Sequence, residues 1–229
     1  MPASFPGRSG QHPQRHEMFE QWAARFPNAD DGLSSAIKTL LGGYQTFRQH
    51  HARYTADETS TQGARLVKSS KAARAILPLV EALDVANEAA MQRAAHLEAI
   101  TAKAYNPPNP QYPTCMRHQE IRAHFKSLPN GDRLNLLEAA RKAGDEDTLL
   151  AVASCQAYLS GVVPEMHQFV RDTLIEAHAP NEAAALKGLR EQQGYAQQFR
   201  DTMLQSVADT VDFKKADELI AAARDDLAA

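Results

Sequence analysis

The stretch from Gln62 to Tyr105 constrains the fold most, because apolar and small residues recur through it on a seven-residue grid. One grid position carries Leu66, Ala73, Val80, Asn87, Ala94 and Thr101. The position three later carries Ser69, Ile76, Leu83, Ala90, Leu97 and Ala104. On an α-helix these two positions share a face and form the seam along which helices pack. Leu77, Leu79, Ala86, Met91 and Ile100 flank the seam. The stripe is therefore wider than a two-stranded coiled coil needs and fits a helix packed on two neighbours. As one uninterrupted helix the stretch would reach roughly 65 Å. Pro78 opposes that: a proline removes one backbone hydrogen bond and clashes with the carbonyl four residues back. The expectation is a kink, or two helices abutting near Leu77–Pro78. Such a rod is too apolar to be covered by its own chain alone, so Leu66, Ile76, Val80, Leu83, Asn87, Met91 and Leu97 are candidate interface residues. Asn87, a polar group on the seam, could fix register against a partner or simply sit partly exposed.

The remaining composition points to an all-α chain. Of 229 residues 43% are hydrophobic, enough for one or two domains with a core. Alanine is abundant, β-branched residues and aromatics are sparse, and no segment alternates apolar and polar over strand length. Cys115 and Cys155, the two cysteines, give no disulfide framework and fit a reducing compartment. No apolar run has membrane-spanning length, and residues 1–16 lack the apolar core of a signal peptide. The expectation is a soluble protein made in the cytoplasm. Charge is divided along the chain. Residues 1–126 hold fifteen Lys and Arg against eleven Asp and Glu, a balance of +4; residues 127–229 hold ten against seventeen, a balance of −7. Opposite halves permit head-to-tail contact between copies, although two ordinary solvated faces would read the same way.

Four regions follow from the punctuation. Residues 1–16 are rich in Pro and Gly and contain no acid. They form an extended basic arm, either disordered or laid on a neighbouring subunit. Residues 17–105 form a long-helix region. It begins with a short amphipathic helix, Glu17 to Phe26, carrying Phe19, Trp22 and Phe26 on one face. A second helix, capped by Asp30 or Asp31, runs to about Tyr54. Gly42-Gly43 in its middle signals either close approach of another helix or a break. Residues 106–113, NPPNPQYP, are a proline-rich linker.

Residues 114–229 form a bundle of short antiparallel helices with crisp stops. Expected helices are Met116–Leu128, then Arg133–Ala143 capped by Asp132 with Leu134, Leu136 and Leu137 inward. Thr148–Leu159 follows, capped by Asp145, after the stop at Gly144. Pro164–His178 has Met166, Phe169, Val170, Leu174 and Ile175 on its core face. A long helix from Pro180 to about Val211 precedes the last, Phe213–Leu227, capped by Asp212.

Residues 119–180 contain the step "GDEDTLLAV", the stop "YLSG" and a following short helix ending "HAP". This segment resembles uncharacterised helical proteins encoded among tailed-bacteriophage structural genes. The resemblance covers about a quarter of the chain and rests on packing and capping residues. It implies a virion or virion-assembly setting and carries no site.

No catalytic signature is present: there is no GxSxG, no HExxH and no dinucleotide glycine fingerprint. Cys115, His118 and His124 offer three metal donors where zinc needs four close ones. His50 and His51 adjoin, so on a helix they point about 100° apart. Glu120 and His124 are four apart and read as a surface pair. No cofactor or metal is implied, and the expectation is not an enzyme. Arg65, Lys68, Lys71 and Arg74, with Arg8 and Arg15 in the arm, form a basic set open to a polyanion. The cations near a helix N-terminus oppose its dipole, but a spacing of three spirals around the helix and no aromatics interleave. The leading reading is a structural subunit of a larger assembly, a phage particle in the setting the resemblance implies. It would act through helix-mediated contacts with copies of itself or with other virion proteins. The alternatives are a nucleic-acid-associated helical protein and a transient scaffold or assembly chaperone.

Overall fold

The fold is a computed structural model that describes residues 3–7, 32–107 and 112–228. The expected helix around Trp22, Arg8 and Arg15, the caps Asp30 and Asp31, and residues 108–111 of the proline stretch lie outside the described residues; Tyr112 and Pro113, expected in the linker, open a helix instead, where a proline in the first turn is tolerated. The described residues are all-α, with ten helical segments: α1 (Gly32–Ala56), α2 (Gln62–Arg74), α3 (Leu77–Ala102), α4 (Tyr112–Ser127), α5 (Asn130–Ala143), α6 (Glu146–Ala153), α7 (Ala157–Ser160), α8 (Pro164–His178), α9 (Pro180–Thr210) and α10 (Phe213–Ala228). None of them is long and apolar enough to cross a membrane.

The expected rod is two abutting helices of 13 and 26 residues. The break has local causes. Pro78 has no amide hydrogen, and it is tolerated because it falls in the first turn of α3. The chain tightens across the junction. The Ile76 amide bonds to the Ala73 carbonyl at 3.0 Å, and Leu79 and Val80 both donate to the Ile76 carbonyl.

Two compact units divide the chain. One comprises residues 1–91 and 190–229, the other 92–189. The division therefore does not fall at the proline stretch 106–113. It falls inside α3 and inside α9, and the last two helices return to the first unit. Short connections within residues 114–229 suggest a local bundle, but they carry no information about where a 31-residue helix such as α9 takes the chain.

In the first unit α1 packs on α2, and α2 on α10. Leu33, Ile37 and Leu40 from α1, Ile76, Val80 and Leu83 from the α3 end, and Phe199, Met203 and Val207 from α9 are buried. The Tyr44 hydroxyl and Ser206 Oγ, 2.8 Å apart, close a buried bond between α1 and α9. Asp84 and Arg200 form a two-pronged ion pair between α3 and α9, at 2.7 and 3.1 Å. Residues 3–7 lie on this unit: Phe5 stacks on Phe213 with ring centres 4.4 Å apart, and Ala3 N donates to Glu81.

The second unit is built around α6, which packs on α4, α5, α7 and α8. Phe125, Leu137, Leu149, Val152, Val170 and Leu174 are its core. Asp145 caps α6 as expected, accepting from Thr148 N. Gly144 and Gly161 stop α5 and α7 at φ 67° and 72°, a backbone region that favours glycine. Three expectations are corrected. The Thr148–Leu159 helix is two pieces, α6 and α7, with a turn at residues 154–156. α5 starts at Asn130 behind Pro129, earlier than an Asp132 cap allows. Leu134 and Phe169 face outward at 38% and 40% exposure. Phe169 sits one residue from buried Val170 and Leu134 one turn before buried Leu137, and helical spacing alone cannot fix which edge of the stripe is covered.

Arg133 fastens this unit. Its guanidinium donates to the carbonyls of Phe125, Lys126 and Gly161 and to Asn130 Oδ1. The carbonyls at the C-terminal end of α6 are met by cations and a histidine. Arg122 donates to Ala151 O, Arg171 donates to Ala153 O, and His167 Nε2 lies 2.7 Å from Cys155 O. That placement suits the negative end of a helix dipole. Arg171 also stacks over the Tyr105 ring at 4.6 Å.

Candidate interaction surface on the second and third helices

The polar turn before α2 explains why cations crowd a helix N-terminus. Asp57 accepts from Thr59 N, Thr59 Oγ1 and Ser60 Oγ. The Ser60 and Thr59 bonds hold its carboxyl well below the usual carboxylate range. Thr61 then caps α2 by accepting from Ala64 N. Arg65 reaches back to the carbonyls of Ser60 and Thr55. Lys68 donates to Ser60 Oγ at 3.1 Å, lies 3.7 Å from Asp57, and sits over the Tyr54 ring. Arg74, one turn from the break, pairs with Asp217 at 2.6 Å and lies over the Phe213 ring.

The basic set is therefore not a free face. Arg65, Lys68 and Arg74 hold the α1–α2 loop and α10, and their spiral spacing is what lets them point to different neighbours. Lys71 differs: it is exposed, and no carboxylate is paired with it among the described residues. Sequence reasoning could have found the loop clamp, since Asp57, Thr59 and Ser60 sit where an Asx turn would precede a capped helix.

The candidate interface residues separate in the same way. Ile76, Val80 and Leu83 are 1%, 0% and 1% exposed, so the first unit's own core occupies them. Leu66 and Leu97 are half-buried. Asn87 is half-buried, with its Oδ1 inside and unpartnered. Only Met91, at 59% exposure, stands out toward solvent. The grid marks a packing seam, and the cover of Ile76, Val80 and Leu83 comes from the same chain.

What α3 leaves open is another face. Pro78, Ala82, Val85 and Ala89 recur at three- and four-residue spacing and all are exposed, Val85 at 68%. α3 carries apolar or small residues on nearly every side, a composition that calls for cover all round. On the other flank, α1 and the α2–α3 junction enclose a cleft of about 510 Å³ floored by Phe47, Ile76 and Leu79. Gly43 makes that closeness possible, because a Cβ there would overlap Leu79 Cδ1. Of the two alternatives for Gly42-Gly43, the structure shows close approach within an unbroken helix.

The suggested metal donors do not converge. Cys115 and His124 are exposed while His118 is buried, and among the described residues no group of three or more His, Cys, Asp and Glu could hold a metal ion. His50 and His51 diverge as expected: His50 lines the cleft, and His51 turns to Ser69 Oγ at 3.2 Å. Glu120 and His124 are both exposed on α4. Set against family models, curated proteins and solved structures, the chain matches none of them.

Proposed function

We propose that the chain is a structural subunit of a larger assembly, holding copies of itself together through the outer face of α3. The observation that carries this reading is the exposed row Pro78, Ala82, Val85 and Ala89, on a helix whose other side buries Val80, Leu83, Ala90 and Ala94. Burying apolar surface is favourable by roughly 25 cal/mol per Å², and a rigid, preformed helix face gives up little freedom to do so. The resemblance of residues 119–180 to phage structural-gene products supports a virion as the setting. The test is the solution mass of the full chain across the micromolar range, with and without Val85→Glu. The expected result is an oligomer that the charge at Val85 dissociates. A strict monomer throughout, or an oligomer indifferent to Val85→Glu, contradicts the reading.

A further inference from the structure

We propose that the cleft between α1 and the α2–α3 junction is a docking groove for an acidic amphipathic helix of a partner protein. The proposal rests on the reading of the chain as an assembly component. It adds the chemistry of a partner at a place other than the outer face of α3.

Three features of the cleft select that occupant. Its floor is apolar, with Phe47, Ile76 and Leu79 beneath the small residues Ala72 and Ala75. A volume of about 510 Å³ accepts a few bulky side chains from one turn of helix. Its rim is basic and, among the described residues, carries no acid: His50 stands on the α1 side, and Lys68 and Lys71 on the α2 side. Lys68 is already engaged with Asp57 and Ser60, while Lys71 is exposed and, among the described residues, has no carboxylate. Tyr54 joins the rim, its ring 5.8 Å from the His50 ring and 5.9 Å from the Lys68 ammonium. An acidic helix satisfies floor and rim together: leucine-like side chains enter the cleft and a carboxylate one turn away meets Lys71. A nucleic acid would use the lysines and leave the apolar floor uncovered, so it is the poorer fit.

The experiment uses the full chain and three fluorescent probes. These are a helical peptide of leucine and glutamate at three- and four-residue spacing, the same peptide with lysine for glutamate, and a short DNA duplex. The glutamate peptide is expected to bind most tightly and to weaken as salt rises. Lys71→Glu should weaken it about tenfold or more, and Ala75→Phe, which fills the floor and leaves Lys71 in place, should weaken it as well. Equal or tighter binding of the lysine peptide or the duplex overturns the proposal, as does unchanged affinity in Lys71→Glu. Should Ala75→Phe lose its helical circular dichroism, Lys71→Glu decides alone, because an exposed, unpaired side chain is not needed for folding. If the glutamate peptide does not bind while the chain still self-associates through Val85, the groove falls and the assembly reading stands.

Discussion

Replacing Arg133 tests the second unit at its tightest polar point. The guanidinium serves three main-chain carbonyls at once: Phe125 O at 2.7 Å, Lys126 O at 3.0 Å, and Gly161 O. The first two belong to the last turn of α4, where helical partners run out; the third is the carbonyl of Gly161, the left-handed stop of α7. Arg133→Met keeps the aliphatic stem and removes all of these bonds. A hydrogen bond from a charged donor contributes about 1.5–3 kcal/mol, but Arg133 is only half-buried and water can replace part of each bond. About 1 kcal/mol per carbonyl, hence about 3 kcal/mol in all, is the working figure. For a unit near a hundred residues that lowers the melting temperature by roughly 12–20 °C. Arg133→Lys keeps the charge but not the planar fork, so it should lose about 2 kcal/mol. Hydrogen exchange resolved to α4 and α7 locates the loss, and chemical denaturation gives its size. A Met variant within about 1 kcal/mol of the parent, or a Lys variant equal to it, refutes the fork argument.

Stability should fall on acidification through two histidines. Burial pushes His51 down; burial, and next to it the Arg171 cation, push His167 down against the Cys155 and Val152 carbonyls. The unfolded chain therefore binds more protons just below about pH 6.5, so stability is full above that pH and declines as pH falls toward the folded values. Denaturation midpoints at about pH 7.5 and about pH 5.5 check it, and the slope should shrink in a His51→Gln, His167→Gln variant. Gly42→Ala, with open space around the new methyl, should stabilise α1 by up to about 1 kcal/mol. Gly43→Ala should gain less or lose, because Leu79 must move; paired melting curves separate the two. Tyr44→Phe leaves Ser206 Oγ without its 2.8 Å partner and should cost about 1–2 kcal/mol by denaturation.

Much of the local structure was legible because it is written in short-range chemistry. Asp145 and Asp212 cap where they stand, Gly144 and Gly161 stop helices, and Pro164 and Pro180 begin them. The break before Pro78 follows from a missing amide hydrogen. What the sequence did not disclose is which surfaces meet. A seven-residue grid states that a face is packed, and is silent about whether its cover comes from the same chain. Ile76, Val80 and Leu83 are buried in a unit to which α9, more than a hundred residues later, contributes Phe199, Met203 and Val207. The basic set is a similar case. Arg65, Lys68 and Arg74 count as net charge, but each is bound to a loop or a helix of its own unit. The cleft could not be read at all, since it needs Gly43 and Leu79 in contact across a loop.

The most direct measurement is the reactivity of a thiol placed on the outer face of α3. In a Val85→Cys chain carrying Cys115→Ser and Cys155→Ala, the rate of maleimide labelling is followed as protein concentration rises through the micromolar range. Association through that face predicts a rate that drops as the oligomer forms and recovers on dilution. A rate that stays that of an open surface thiol at every concentration, in a chain whose mass shows it has assembled, contradicts the account.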